Sequence, residues 1–152
     1  MKRLELSGGE ALQDRLKEIM QKAGKAGTVS VGFMAGATYQ DKDQTPIAMV
    51  AAIQEYGAPA AGIPSRPFFR NMIAKESPRW GKELGRLAVH TDYDVAQTLD
   101  GMGQIIQGQL KESIIEFNSV PLAPATIAKK GFATQLIDTG IMQNAVDYEV
   151  KS

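Results

Sequence analysis

The side chains able to do acid–base, nucleophilic or metal chemistry are few here, and they are scattered. No cysteine occurs among the 152 residues, which removes disulfides, thiolate metal sites and cysteine nucleophiles together. His90 is the single histidine, so no histidine cluster can gather a metal, and its neighbours Asp92 and Asp94 suit a surface or satisfied imidazole better than a base. Glu112 and Glu116 lie one helical turn apart, the pattern of a solvated helix face. Gly101-Met102-Gly103 follows no strand and lacks the Lys-Ser/Thr ending of a phosphate-binding loop. Lys129-Lys130 reads as a solvated turn, with a phosphate or an acidic neighbour as the other reading. The expectation from these residues is no catalytic centre, no metal and no cofactor.

One motif points the other way. Leu136-Ile137-Asp138-Thr139-Gly140 matches the two-apolar-then-Asp-Thr-Gly signature of retroviral-type aspartic proteases, in which two copies pair their carboxylates. That chemistry needs a strand framework after the catalytic turn, and only 12 residues follow Gly140. A small dimeric protease-like or virion-associated hydrolase using Asp138 is therefore the alternative reading. The favoured one makes Asp138 and Thr139 the end of an extended segment and the cap of a short helix through Ala145.

Charge and hydropathy narrow the classes further. Lys plus Arg and Asp plus Glu number 17 each, so no basic excess marks a nucleic-acid or membrane-surface binder. No apolar run approaches the roughly 18 residues of a membrane span, and the start of the chain does not resemble a signal peptide. The length suits one domain over 1–152, soluble and unsecreted.

The elements that must position these residues can be read from periodicity. Ser7-Gly8-Gly9-Glu10 has capping-box spacing, and Leu12, Leu16, Ile19, Met20 and Ala23 share one face of a helix over Glu10–Ala23. Val29, Val31 and Phe33 alternate as a half-buried strand within Thr28–Ala35, which Leu4-Glu5-Leu6 could pair. Ala37–Gln44 is an exposed connection or hairpin tip. Thr45 as cap and Pro46 at the first position open a second helix with Ile47, Val50, Ile53 and Tyr56 on one face, closed by Gly57. A long helical run follows Pro67, with a break or kink near Ser77-Pro78 and a stripe of Trp80, Leu84 and Leu87. Leu99, Met102, Ile105, Ile106, Leu110, Ile114 and Phe117 hold a 3.6-residue period and predict the central core helix, its glycines allowing close packing. Asn118–Gln135 is a long loop with one helical turn near Ala125–Lys130, and Val146, Tyr148 and Val150 alternate as a last strand. The class is α+β, a small mostly antiparallel sheet packed against several helices, with long exposed loops.

Gly62-Ile63-Pro64-Ser65-Arg66-Pro67-Phe68-Phe69-Arg70 is the densest segment, with two basic groups and an aromatic pair around prolines that hand a loop to a helix. Arg66 should be extended and Pro67 should start the helix. At least one of Phe68 and Phe69 should anchor against a core or a neighbouring subunit.

Three segments in order resemble one family. Ala48–Gly57 with its Glu55-Tyr56-Gly57 ending, followed by Ile63-Pro64-Ser65-Arg66-Pro67-Phe68-Phe69, is similar to the centre of small neck, tail-completion and virion-morphogenesis proteins of long-tailed bacteriophages and prophages. Pro121-Leu122-Ala123-Pro124-Ala125-Thr126-Ile127-Ala128-Lys129-Lys130-Gly131 and Leu136–Val150, with Asp138-Thr139-Gly140, continue the likeness, which covers about Gly27 to Val150. Asn144-Ala145 departs from a serine that often follows that asparagine. The resemblance implies a non-enzymatic structural protein of the virion, assembled in the bacterial host cytoplasm. It would form a homo-oligomeric ring, hexamer favoured, at the head–tail junction or head-proximal tail end. Its partners would be head connector, tail tube or tail terminator, with DNA only as the passing genome and no membrane. The expected contact residues are Ile63, Pro64, Arg66, Pro67, Arg70 and the uncovered Phe68 and Phe69, with Pro121, Leu122, Thr126, Lys129 and Lys130 from the distal loop. A third reading, a regulatory or adaptor domain, would use Arg66, Arg70, Lys129 and Lys130 as a small anion site.

Overall fold

The computed structural model describes residues 8–117 and 136–152, with the side chains of 136–139 left aside. In order these are α1 (Gly9–Ala23), β1 (Thr28–Phe33), α2 (Ile47–Tyr56), a 3₁₀ turn (Pro59–Ala61), α3 (Phe68–His90), α4 (Val95–Phe117), α5 (Leu136–Asn144) and β2 (Val146–Lys151). The fold is α+β, with helices against a two-stranded antiparallel sheet among the described residues. Leu4-Glu5-Leu6, Ser7 and the Asn118–Gln135 loop, with Pro121, Leu122, Thr126, Lys129 and Lys130, lie outside the described residues.

α4 is the centre, as its period requires: it packs on α3, on both strands and on α5. Met102, Leu110 and Ile114 are buried on it, and the core around the latter two includes Ile47 and Ala51 of α2, Phe68 and Met72 of α3, Met142 of α5 and Val146 of β2. Antiparallel register places Val29 opposite Val150, Val31 opposite Tyr148 and Phe33 opposite Val146, so one sheet face meets α4 while Asp147 and Glu149 face outward. The α4 glycines divide by cause. A Cβ at Gly103 would overlap the Tyr148 ring and one at Gly101 would sit 3.0 Å from Leu87, whereas Gly108 has open space beside it.

Several boundaries differ from the periodic reading. α2 begins at Ile47, with Pro46 as its N-cap, because Thr45 donates its N–H and hydroxyl to the Asp41 carboxylate at 2.8 and 2.6 Å and so tightens the preceding loop. Those bonds, the hydroxyl first, lower the Asp41 carboxyl from its ordinary value. The buried positions on α2 are Ile47, Ala51 and Glu55, not Ile53 and Tyr56, which are exposed. α3 runs unbroken through Pro78; Ala74 is exposed, so water can take the carbonyl that Pro78 cannot serve. α5 already spans Leu136, so Asp138 and Thr139 lie within a helix and do not cap one.

α1 departs most from expectation. Its N-cap is Gly8 in left-handed geometry, and no residue of the helix is buried. Leu12, Leu16 and Met20 are 60%, 50% and 72% exposed, so the apolar face is uncovered. Its charged side faces the body instead: Arg15 and Lys22 both donate to Asp92 in the α3–α4 turn, the latter at 2.7 Å, and both pair with Glu18.

Candidate functional site

The segments singled out between Ala48 and Arg70 form one clasp joining the end of α2 to the start of α3. α3 starts after Pro67, which cannot cap with a side-chain oxygen, so its first amides need another acceptor. Glu55, buried in the last turn of α2, supplies it. Its carboxylate accepts from the N–H of Phe69 at 2.9 Å and of Arg70 at 3.1 Å, the second and third amides of α3, where an N-cap residue would ordinarily bond. The negative charge also lies at the positive end of the α3 dipole. Arg70 closes the unit, donating Nε to Glu55 Oε1 at 2.8 Å and Nη2 to the Glu55 carbonyl at 3.0 Å, with its guanidinium 5.1 Å from the Tyr56 ring centre.

The intervening loop is held by backbone. Gly57 adopts φ 73°, and a Cβ there would meet Ser65 N at 2.7 Å and the Ile63 carbonyl oxygen at 2.9 Å, so glycine is required on two counts. Ala58 and Ile63 exchange both backbone hydrogen bonds, at 2.9 and 3.0 Å. Ser65 donates its hydroxyl to the Glu55 carbonyl at 2.7 Å, and the Arg66 N–H donates to the Gln54 carbonyl at 2.6 Å. The small-residue loop is thus exposed yet tied at both ends.

The clasp sorts the expected contact residues. Ile63 and Pro64 are exposed, Pro67 and Phe69 are half-buried, and the Arg70 side chain reaches solvent beside Tyr56. Phe68 is a correction: at 2% exposure it is core, edge-on to Phe33 at 6.4 Å, and its carbonyl accepts from the buried Ser113 hydroxyl at 2.6 Å. Arg66 is also withdrawn, at 8% exposure, and burial pushes its guanidinium down from its ordinary value. With Arg66 buried and Arg70 committed to Glu55, these two do not make an open anion site. Lys129 and Lys130, its other members, lie outside the described residues, as do the side chains of Asp138 and Thr139; Gly140 is half-buried in α5.

Sequence reasoning missed Glu55 as a cap, because the amides it serves are 14 and 15 residues away, beyond any local capping pattern. The missing capping side chain ahead of Phe68 was the available signal. A second tie was also missed: Trp80 Nε1 donates to Gln109 Oε1 at 2.9 Å, and Gln109 Nε2 donates to Glu76 Oε2 at 3.4 Å, fastening α3 to α4 further along.

Beside the clasp, α2 and α3 border an open cleft of about 370 Å³ whose walls are mainly apolar, including Ala48, Ala52, Tyr56, Phe69 and Ile73. The carboxylate at its edge, Glu55, is already engaged by three donors and so is poorly placed to move protons. Among the described residues no group of three or more His, Asp or Glu side chains is placed to hold a metal, and no helix is long and apolar enough to cross a membrane. No protein-family model matches the chain, and no curated protein or solved structure matches it significantly.

Proposed function

We propose that this chain is a non-enzymatic structural protein of a long-tailed bacteriophage or prophage particle. It assembles as a ring, with six copies favoured, at the head–tail junction or head-proximal tail end, and completes the tail or joins it to the head. The order of the three motif segments supports this reading. The observation that carries it is the clasp, which makes the first motif a single hydrogen-bonded unit, with Glu55, Ser65 and Arg70 bonded within it, while Tyr56, Ile63 and Pro64 stay outside. An engaged carboxylate beneath an exposed apolar rim suits association better than bond-making chemistry.

The partners on this reading are head connector, tail tube or tail terminator proteins, with the genome passing through the lumen. Balanced charge fits a ring that DNA must slide through, since a strongly basic lumen would hold it. The test is genetic and structural. Removal of the chain from the phage or prophage that encodes it should leave unjoined heads and tails or aberrant tails, and Ile63→Asp should reproduce that defect while the purified protein stays folded. Normally joined, infectious particles without the chain would overturn the reading.

A further inference from the structure

The corner between α3 and α4 has two successive non-glycine residues in left-handed geometry, Asp92 at φ 53° and Tyr93 at φ 62°. A Cβ there crowds the following carbonyl, so glycine would be the unstrained choice at both positions. Asp tolerates the conformation, whereas a half-buried tyrosine is an outlier, and strain of this kind is a pointer to function. What the corner presents is the exposed Asp92 carboxylate, which accepts from Arg15 and from Lys22, 77 and 70 residues earlier in the chain.

Burial does little to seat α1. Ile19 and Lys22 are its half-buried positions, and the rest of the helix is exposed. The ion pairs to Asp92 could also open without stranding a charge. Arg15 and Lys22 keep Glu18, on α1 itself, at 2.8 and 2.9 Å, and Asp92 passes into water. Parked and released arrangements therefore differ mainly by exposed ion pairs, which are individually weak. The connection suits such a change. Gly24, Lys25 and Ala26 are exposed and outside any helix or strand. The next residue is fixed to the body: a Cβ at Gly27 would lie 2.7 Å from Leu99 and 2.9 Å from Val95, both on α4.

We infer that α1 is a latched arm, held in its seat by Asp92 and pivoting about Gly24–Ala26 when that carboxylate lets go. Gly27 is the fixed post, Arg15 and Lys22 are the two prongs, and the strained corner holds the catch toward them. Glu18 keeps the prongs paired in either position. Release is driven by ionic strength or by an anion that competes for Arg15 and Lys22. The device belongs to the single subunit and does not rest on the ring reading.

The absence of native cysteine allows two spin labels to be placed at will, at Gln13→Cys on α1 and Lys82→Cys on α3, both exposed positions. Doubly labelled full-length chain is diluted into unlabelled chain, so that only distances within one subunit are read. Trp80, the single tryptophan, donates to Gln109 across α3 and α4, and its emission reports whether the body stays folded. The expected result is one narrow distance at low salt. It should be lost to a broad distribution in Asp92→Asn at low salt, and in the unsubstituted corner at about 1 M salt, where the screening length falls to about 3 Å. Trp80 emission should not move. Asp43→Asn, which removes an exposed carboxylate elsewhere, should keep the narrow distance. A narrow distance that survives both Asp92→Asn and high salt would overturn the inference, as would a broad one already present with Asp92 intact at low salt. Broadening in Asp43→Asn equal to that in Asp92→Asn, or broadening that comes with a red shift of Trp80, would also overturn it, by showing a general loosening of the fold.

Discussion

Glu55 shows how much of this fold depends on one carboxylate. It serves two amides of α3 and the Arg70 side chain from a position 5% exposed. Glu55→Ala therefore leaves two helix-start amides without their acceptor and should destabilise the protein by about 2–3 kcal/mol, measured as a lowered urea midpoint. Glu55→Gln keeps one oxygen and loses the charge, and should fall between the two. Phe68 and Ile63, five residues apart, should separate in the same assay. Phe68→Ala empties a core site and should cost about 3–5 kcal/mol, whereas Ile63→Ala, at an exposed position, should change stability by less than about 1 kcal/mol. An assembly defect from Ile63→Ala with unchanged stability is the outcome expected of a contact residue.

At the scale of elements, α1 is held differently from the rest. The Asp92 carboxyl is lowered to about 2, chiefly by the Arg15 hydrogen bond and then by that of Lys22. Lys22 is in turn raised, first by Asp92 and then by Glu18. A carboxylate depressed on folding contributes fully above its ordinary value near 4 and loses that contribution as pH falls toward 2. A raised lysine contributes below its ordinary value and is lost as pH rises beyond it. Amide exchange in α1 should accelerate between about pH 4 and 2, relative to α4, and again in Asp92→Asn at neutral pH. High salt should have the same effect, because these groups are exposed and screened. Exchange in α1 that ignores pH, salt and Asp92 would show that something else holds the helix.

Elements with a clean period were legible in sequence: α4, and the strands around Val31 and Tyr148, follow patterns that one buried face enforces. What escaped was set by partners distant in the chain. The buried face of α2 follows Glu55, whose partners are on α3, and not the arrangement of its apolar residues. α5 begins before the capping-type residues Asp138-Thr139, and Met142 and Val146 pack its end into the core. The site was half legible, since proline, glycine and the aromatic pair marked a loop meeting a helix, but burial divided Phe68 from Ile63 in a way spacing does not encode.

For the whole molecule, the central claim is assembly by repeated contact between copies. A core gathered on α4 leaves the α1 stripe and the α2 face outside it, and neither is covered within the described subunit. The most direct measurement is the mass of the full-length protein by light scattering from micromolar to millimolar concentration, alone and with the other tail components. The account predicts a ring-sized species, hexameric or larger, that Ile63→Asp dissociates into folded monomers. A monomer or simple dimer under both conditions would contradict it, and the Asp138 hydrolase reading would then be assayed first.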